Sequence, residues 1–326
     1  MKPLRFALFG AGGIAQAYAQ VFDNNPEMKL VAIVDVRHDA AHALAERAIC
    51  PAYTSREALL ESGPAFDAAI ICTPPNTHEE IATELVGRGI HVLCEKPFTL
   101  NSDSARRMLE ASQKTNVVLT MASKFRYVAD VIKAKSIVTS GILGDIILFE
   151  NAFTSRVDMS QRWNAQPAIS GGGVIIDNGT HSVDLMRYFL GPLTQVHTIE
   201  GKRVQGLTVE DTARIFTRSS SGVMGSVDLS WSINKELDYY LSIYGSRGTV
   251  LIGWKDSKYR QQSSRDWVVF GDGYNKVHAF SAQLTNFTRC ITSQEPLIIT
   301  PQDALASVEV IEAAYRSLRE STWTNV

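Results

Sequence analysis

Short apolar runs alternate with segments of helical spacing through the first 121 residues, and this alternation constrains the fold more than any other feature. Continuous apolar runs of this kind are typical of strands that are buried on both faces, as in a parallel sheet. The helical segments between them supply the crossovers that parallel strands need. The sequence therefore predicts a doubly wound α/β domain. The predicted strands are 4–9, 29–34, 67–72, 90–94 and 116–121, and the predicted helices are about 13–23, 38–47, 77–88 and 102–114.

The pattern changes after residue 121, where polar and apolar residues alternate between short connections. Such connections favour antiparallel or mixed pairing. We therefore expect two domains: the doubly wound parallel sheet over 1–121, and an α+β domain with a large open, mainly antiparallel sheet over 122–326. The predicted strands of the second domain are 145–154, 195–201, 211–217, 222–232, 238–244 and 249–254, and its predicted helices are about 127–140, 176–190, 277–293 and 302–319.

A glycine-rich turn follows the first predicted strand. Gly10 allows a tight turn, Gly12 lets a phosphate approach the backbone, and Ala15 lets the next helix pack close to the strand. The N-terminus of that helix, at Gly13 and Ile14, offers N–H groups to phosphates. Because the turn joins a strand to a helix, it predicts a dinucleotide site.

The second predicted strand ends at Asp35, whose carboxylate can accept hydrogen bonds from the adenosine ribose hydroxyls. The same charge would repel a 2′-phosphate, so we predict NAD as the cofactor rather than NADP. Arg37 argues the other way, since an arginine can bind a 2′-phosphate, but it can equally be a solvated loop charge. S-adenosylmethionine can also bind after a glycine-rich turn, although the lysine and histidine motifs described below argue against it.

Polar residues follow the third predicted strand, at the carboxyl edge of the sheet where ligands of such folds bind. They include Thr73, Pro74, Asn76 and His78, and we expect them to contact the cofactor. Asn76 or the following Thr77 could instead cap the next helix, which would explain these residue types almost as well.

The tripeptide Glu95, Lys96 and Pro97 follows the fourth predicted strand at the same edge. A lysine that is held in a cleft directly after a buried strand can have a lowered pKa and can bond to a reacting oxygen. Pro97 fixes the backbone beside it, and a cis peptide can form there. Taken alone, the tripeptide is also compatible with a lysine in a surface loop.

Asp177, His181 and Asp184 are four and seven residues apart along a predicted helix, which projects them from one face. The three glycines at 171–173 would permit the close approach of a ligand. Metal binding is a rival function for such a face, but no further cluster completes a ligand set, so we predict no metal. Asp184 could instead pair with Arg187 on the same helix.

The order of these motifs resembles the Gfo/Idh/MocA family (glucose–fructose oxidoreductase, inositol dehydrogenase and rhizopine catabolism proteins). The motifs that carry the resemblance are G-A-G-G-I-A at 10–15, the aspartate at 35, C-T-P-P-N-T-H at 72–78, C-E-K-P at 94–97 and G-G-G-V-I-I-D-N-G-T-H-S-V-D at 171–184. The resemblance extends over essentially the whole chain. It implies a Rossmann domain followed by an α+β domain with an open sheet, NAD or NADP as cofactor, and oxidation or reduction of a sugar or cyclitol carbon.

The resemblance also implies roles for individual residues. His181 would take the hydroxyl proton as general base, Lys96 would stabilise the developing alkoxide, and Asp177 would position the hydroxyl and His181. The expected cofactor contacts are Gly10, Gly12, Gly13, Ile14, Ala15, Asp35, Arg37, Thr73, Pro74, Asn76, His78, Glu95, Lys96, Pro97 and Trp163. The expected substrate contacts are Lys96, Lys124, Arg126, Arg162, Asp177 and His181. Lys124 and Arg126 stand where the family often has asparagine or arginine, so their roles are open.

Together with these residues, the resemblance implies an NAD-dependent dehydrogenase that oxidises a ring hydroxyl of a sugar, a cyclitol or a nucleotide-linked (amino) sugar. Lys124, Arg126, Arg156 and Arg162 could meet the phosphate or carboxylate of an anionic substrate, or could be scattered surface charges. An NAD-assisted glycoside hydrolase is one alternative. A catalytically silent nucleotide-sensing protein is another, and the intact catalytic trio weighs against it.

Composition limits the partners that we expect. The net charge of −2 and the lack of a basic stripe argue against nucleic acid and anionic membranes. No window approaches the roughly 18 apolar residues that span a bilayer. The four cysteines have no C-x-x-C spacing, as expected for buried thiols in a reduced cytoplasm. A wide open sheet has one face left over, so we expect a homodimer or homotetramer built on that sheet.

Overall fold

The computed structural model describes residues 2–23 and 25–326. The chain divides into two compact units. The first unit runs to Lys124 and also includes Val277–Leu305, and the second consists of Phe125–Lys276 and Ala306–Val326. The predicted boundary at residue 121 falls close to this division, but the prediction placed 277–305 in the second domain.

The described residues of the first unit form six strands, which are β1 (Leu4–Phe9), β2 (Met28–Val34), β3 (Ala52–Tyr53), β4 (Ala68–Ile71), β5 (His91–Glu95) and β6 (Leu119–Ala122). They pair in one parallel sheet in the order β3-β2-β1-β4-β5-β6. The order reverses between β1 and β4, which opens a crevice at the carboxyl ends of these two strands. The helices are α1 (Gly13–Val21), α2 (His38–Ala48), α3 (Arg56–Ser62), α4 (His78–Gly87) and α5 (Ser102–Thr115). The predicted doubly wound parallel sheet is thus confirmed.

A distant helix, α9 (Lys276–Ile291), completes the core of the first unit. Phe280, Leu284 and Phe287 of α9 are buried in the same cluster as Phe6 and Tyr18. Burial of large aromatic and aliphatic side chains is the dominant favourable term in packing. This apolar face explains why 277–305 belongs to the first unit despite its place in the sequence.

The described residues of the second unit form nine strands, which are β7 (Ile146–Thr154), β8 (Leu193–Glu200), β9 (Thr212–Ser219), β10 (Met224–Ser230), β11 (Tyr239–Gly245), β12 (Gly248–Gly253), β13 (Ser257–Gln261), β14 (Val268–Gly271) and β15 (Thr324–Asn325). They pair in one mixed sheet in the order β14-β13-β12-β11-β7-β10-β9-β8-β15. Its helices are α6 (Ala129–Thr139), α7 (Pro167–Ser170), α8 (Val174–Leu190) and α10 (Pro301–Glu320), the last of which begins within the first unit's residues.

Within the described strands, β7 pairs in parallel with β10, and the other neighbouring pairs are antiparallel. The predicted large, mainly antiparallel sheet is therefore confirmed. Helix α8 packs on one face, and side chains alternate accordingly. In β9, Ala213 and Ile215 are buried, whereas Arg214 and Arg218 are exposed.

No helix among residues 2–23 and 25–326 is long and apolar enough to cross a bilayer.

Candidate active site

The glycine turn after β1 is shaped by the neighbouring strand. Gly10 has φ +96°, and a Cβ there would lie 2.8 Å from the carbonyl carbon and oxygen of Cys72. Only glycine meets both conditions without strain. Gly12 and Gly13, by contrast, face open space where a Cβ would be, and Gly12 is the residue before α1. The turn therefore leaves the N-terminal amides of α1 accessible to a phosphate, as the dinucleotide prediction requires.

Asp35, directly after β2, is tied into this turn. Its carboxylate accepts hydrogen bonds from the amide of Ala11 at 2.7 Å and from the amide of Arg37 at 2.8 Å. Burial raises the pKa of Asp35, but the hydrogen bonds from Arg37 and Ala11 outweigh it and hold the pKa below its ordinary value. The Asp35 side chain is 10% exposed and that of Arg37 is 66% exposed. The turn thus carries a largely buried negative charge that is paired with an exposed positive one.

The structure divides the residues after β4 into two groups. Thr73 and Pro74 are half-buried and Asn76 is exposed, at the carboxyl edge of the sheet. Helix α4 has no capping side chain, and the Thr77 hydroxyl donates to the carbonyl of Pro74, so the alternative that these residues cap the helix is wrong. His78 is buried beneath the loops. It cannot make the predicted cofactor contact, because both of its ring nitrogens lie against backbone carbonyls.

Lys96 follows β5 at the same edge, and the Lys96–Pro97 peptide is cis. The half-buried carboxylate of Glu95 accepts hydrogen bonds from the Tyr18 hydroxyl at 2.8 Å and from the Lys96 amide at 3.1 Å. Burial raises the pKa of Glu95, and the ammonium groups of Lys96 and Lys124 oppose this rise. The structure therefore brings Glu95, Lys96 and Lys124 together within the first unit.

Two residues that support this loop were not identified from the sequence. Gln283 of α9 donates to the Tyr18 hydroxyl at 2.5 Å, and Tyr18 donates in turn to Glu95. Tyr18 is fully buried, so its hydroxyl needs such partners. No local signal marks the chain of contacts, because its members are separated by up to 265 residues.

Helix α8 carries Asp177 and His181 and begins against an acid from another loop. Glu210 accepts hydrogen bonds from the amides of Gly173 and Ile175, at 2.9 and 3.0 Å, and from the Tyr315 hydroxyl at 2.8 Å. A carboxylate at a helix N-terminus satisfies amides that have no partner within the helix and complements the helix dipole. Burial raises the pKa of Glu210, and these donors oppose the rise. The position of α8 is therefore fixed by a buried external cap.

The glycines before α8 make room for this cap. A Cβ on Gly172 would overlap the hydroxyl of Tyr315, and one on Gly173 would overlap the carbonyl oxygen of Glu210. The prediction that these glycines permit the approach of a ligand is therefore wrong for 172 and 173, because protein atoms occupy that space.

We expect Gly173→Ala to lower the free energy of unfolding by about 1–3 kcal/mol, because backbone atoms of Glu210 must shift to accept the methyl group. Gly87→Ala is the matched control, since nothing lies within 4 Å of its Cβ position in α4. Urea unfolding followed by circular dichroism measures both variants. Equal stability of the two would contradict the close contact at Gly173.

Aromatic rings surround His181 within the second unit. Phe125 lies edge-on to the imidazole at 5.0 Å between centroids, and Phe153 lies at 6.3 Å. Tyr240 packs on Phe153, and Tyr274 stacks on Phe125 at 5.3 Å. These rings come from separate elements, so no local sequence pattern predicts that they meet at His181.

Arg126 lies in a buried ion pair with Asp184, at 2.6 Å, and their side chains are 3% and 0% exposed. The predicted substrate contact of Arg126 does not fit this position, because the guanidinium is held inside the protein by a carboxylate. Asp184 therefore has Arg126 as an ion-pair partner, in addition to any pairing with Arg187 on the same helix. Lys124 lies 5.4 Å from the ring of Phe280 and remains half-exposed.

Removing one member of this pair should be costly. We expect Arg126→Met to lower the free energy of unfolding by about 3 kcal/mol, because Asp184 would keep its buried charge without that cation. Arg126→Met/Asp184→Asn, which neutralises both partners, should recover most of the loss. Urea unfolding measures both. A single variant as stable as the wild type would show that the pair contributes little.

Arg156, Arg162 and Trp163 lie in the irregular segment between β7 and α7, and all three are exposed. The structure thus assembles the predicted residues in two sets. At the carboxyl edge of the first sheet are the glycine turn, Asp35, the loop after β4, and Glu95 with Lys96. On α8 of the second unit are Asp177 and His181.

Comparison with known proteins agrees with this architecture. Residues 4–123 match the family model described as "Oxidoreductase family, NAD-binding Rossmann fold", and residues 131–251 match the "GFO/IDH/MocA C-terminal domain". The chain is 26% identical to myo-inositol 2-dehydrogenase of Thermotoga maritima and 24% identical to inositol 2-dehydrogenase of Rhizobium meliloti, with 97% of each chain covered in both comparisons. The crystal structure of GenD2 from gentamicin A biosynthesis in complex with NAD superposes with a TM-score of 0.89, at 25% identity, covering 100% of this chain and 97% of that one.

The chain therefore belongs to the Gfo/Idh/MocA family of oxidoreductases. It is an oxidoreductase that acts on CH–OH groups, within a family of sugar and cyclitol dehydrogenases, and NAD is its cofactor. The open space at Gly12 and Gly13, the accessible N-terminus of α1 and the fixed carboxylate of Asp35 suit that dinucleotide.

Proposed function

We propose that this enzyme oxidises a ring hydroxyl of a sugar, a cyclitol or a nucleotide-linked (amino) sugar. The observation that carries the proposal is the position of Lys96. It follows a buried strand at the carboxyl edge of the NAD-binding sheet, in a loop where its amide donates to the half-buried Glu95 carboxylate. The inositol 2-dehydrogenases named above support this class of substrate.

In this proposal His181 takes the hydroxyl proton as general base, and Lys96 stabilises the negative charge that develops on the oxygen. Asp177 orients the hydroxyl and His181 from one helical turn away. Bound NAD supplies the acceptor for the hydride that leaves the same carbon. The proton and the hydride together account for the two hydrogens lost from the CH–OH group.

We propose that the cofactor contacts are those predicted from the sequence, without His78. The turn at Gly10, Gly12 and Gly13, with the start of α1, binds the pyrophosphate, and Asp35 binds the adenosine ribose. The remaining contacts are Ile14, Ala15, Arg37, Thr73, Pro74, Asn76, Glu95, Lys96, Pro97 and Trp163.

For the substrate, the rings of Phe125 and Phe153 beside His181 favour the apolar C–H face of a neutral sugar or cyclitol. Lys124 and Arg162 stay as proposed contacts for an anionic group, and Arg126 is left out because Asp184 binds it.

We also propose a homodimer or homotetramer in the cytoplasm, formed through the face of the nine-stranded sheet away from α8. Ile199 and Met224 are half-exposed on that face, beside the ion pair of Arg214 and Asp228. All four cysteines are unpaired, which suits a reducing compartment.

The test follows absorbance of reduced nicotinamide with purified enzyme, NAD and a panel of inositols, free hexoses, glucosides and UDP-linked amino sugars. An increase with one class identifies a dehydrogenase and its substrate class. Product analysis by mass spectrometry runs in parallel. Cleavage of a glycoside without net reduction of NAD would replace the proposal with an NAD-assisted hydrolase, and NAD binding without either reaction across the panel would favour a sensor.

A further inference from the structure

One buried histidine joins the two loops that carry the proposed cofactor and catalytic contacts. His78 is the first residue of α4 and is 1% exposed. Its Nδ1 lies 3.0 Å from the carbonyl oxygen of Pro97 and 3.2 Å from that of Phe98. Its Nε2 lies 2.9 Å from the carbonyl oxygen of Thr73. One imidazole therefore spans the loop after β4 and the loop after β5.

In each of these hydrogen bonds, the imidazole must be the donor. Backbone carbonyls only accept hydrogen bonds, so the ring must donate at each nitrogen that bonds. A neutral imidazole donates from one nitrogen, and an imidazolium donates from both. Burial lowers the pKa of His78, and the carbonyls of Thr73, Phe98 and Pro97 oppose this fall. Nδ1 faces two carbonyl oxygens and Nε2 faces one, so a neutral ring satisfies more acceptors with its proton on Nδ1.

The contact at Nδ1 lies next to Lys96 in the chain. Pro97 follows Lys96 directly, so a donor that fixes the carbonyl of Pro97 also restricts the backbone from which the Lys96 side chain projects. On the N-terminal side of Lys96, the Glu95 carboxylate accepts a hydrogen bond from the Lys96 amide. The lysine is thus held from both sides, by the carboxylate before it and by the imidazole after it.

We propose that His78 is a positioning residue for Lys96, acting through the Nδ1 contact with the carbonyls of Pro97 and Phe98. The inference rests on the catalytic role proposed for Lys96. It assigns His78 no contact with cofactor or substrate. A small displacement of a catalytic group lowers turnover strongly, so the effect should appear in kcat rather than in NAD binding.

Two amide substitutions separate the two ends of the ring. The amide nitrogen of asparagine reaches roughly the position of Nδ1, and that of glutamine reaches roughly the position of Nε2. His78→Asn therefore keeps a donor for Pro97 and Phe98, and His78→Gln keeps one for Thr73. We expect His78→Gln to lower kcat at least about tenfold more than His78→Asn, with the dissociation constants for NAD of the two variants within twofold.

Hydrogen exchange of the NAD-bound enzyme gives a readout that needs no substrate. Peptides covering 94–101 should exchange faster in His78→Gln than in His78→Asn, and peptides covering 72–77 should show the reverse order. The melting temperatures of both variants are measured alongside. Equal exchange in both loops, or losses of kcat that follow only the melting temperature, would overturn the positioning role.

Failure of the proposed function would look different. If Lys96→Ala kept wild-type turnover, Lys96 would not be the catalytic lysine, whatever the exchange pattern at His78. A tenfold rise in the NAD dissociation constant of either His78 variant would also overturn the inference, because it would show that His78 acts through the cofactor site.

Discussion

Lys96→Ala is expected to lower kcat at least about 10³-fold while the dissociation constant for NAD stays within threefold. An oxygen that gives up its proton carries negative charge until its lone pair forms the C=O bond, as the hydride leaves with the C–H electrons. A fixed ammonium group stabilises that charge in the transition state. Lys96 is proposed to supply this ammonium group from the loop after β5, which contains the cis Lys96–Pro97 peptide. Steady-state kinetics with the substrate identified by the panel, and calorimetric titration with NAD, measure the two quantities.

Two further variants sharpen this result. Lys114→Ala removes an exposed lysine at the end of α5 and should leave kcat unchanged. Lys96→Arg keeps the charge but moves it outward on a longer, planar group, so it should recover only a small part of the rate. Turnover of Lys96→Ala within tenfold of wild type would remove the lysine from the mechanism. A parallel loss of NAD binding would show that the main role of Lys96 is to hold the cofactor rather than to stabilise the transition state.

The first sheet could be predicted from the sequence because its strands are short, continuous apolar runs between turn residues. The parts that were missed lack such a pattern. Strand β3, Ala52–Tyr53, has two residues, and α3, Arg56–Ser62, is too short to show a helical period. Strand β13, with the sequence SKYRQ, is largely polar because it lies near the edge of the second sheet. Edge strands bury too little to leave an apolar signature.

The motifs of the candidate site were visible in the sequence, but their supports were not. Each of the two residues is marked by a local pattern. Lys96 comes after the end of a predicted strand, and His181 lies at helical spacing from Asp177. Glu210, Gln283 and Tyr18 act on them from remote parts of the chain, and a single sequence carries no record of such contacts. The glycines before α8 show the same limit, since their composition suggested an approaching ligand where the structure has Glu210 and Tyr315.

The preference for NAD should be reversible at Asp35. We expect Asp35→Asn to raise the ratio of kcat/KM for NADP to that for NAD by about 10³. Two effects raise this ratio. The neutral amide binds the ribose hydroxyls less strongly, which lowers kcat/KM for NAD, and it no longer repels a 2′-phosphate, which raises kcat/KM for NADP. At 4 Å and an effective dielectric constant of 20, each pair of unit charges contributes about 4 kcal/mol. The single amide oxygen of asparagine can still accept the hydrogen bond from Ala11, which preserves the glycine turn, while the amide of Arg37 loses its acceptor.

The gain in kcat/KM for NADP should depend on Arg37, the arginine that pairs with Asp35 in the wild-type enzyme. Arg37 lies 3.3 Å from the Asp35 carboxylate, and its exposed side chain lines a cavity of about 310 Å³ together with Gly12, Gly13 and Arg47. Once Asp35 is neutral, Arg37 is released to bind the 2′-phosphate. Asp35→Asn/Arg37→Ala should therefore lose at least tenfold of the gained kcat/KM for NADP. If Asp35→Asn left the ratio of kcat/KM for NADP to that for NAD unchanged, the carboxylate would not set the cofactor preference. If Asp35→Asn/Arg37→Ala kept the full gain in kcat/KM for NADP, another group in the cavity would bind the phosphate, and Arg47 would be the first residue to substitute.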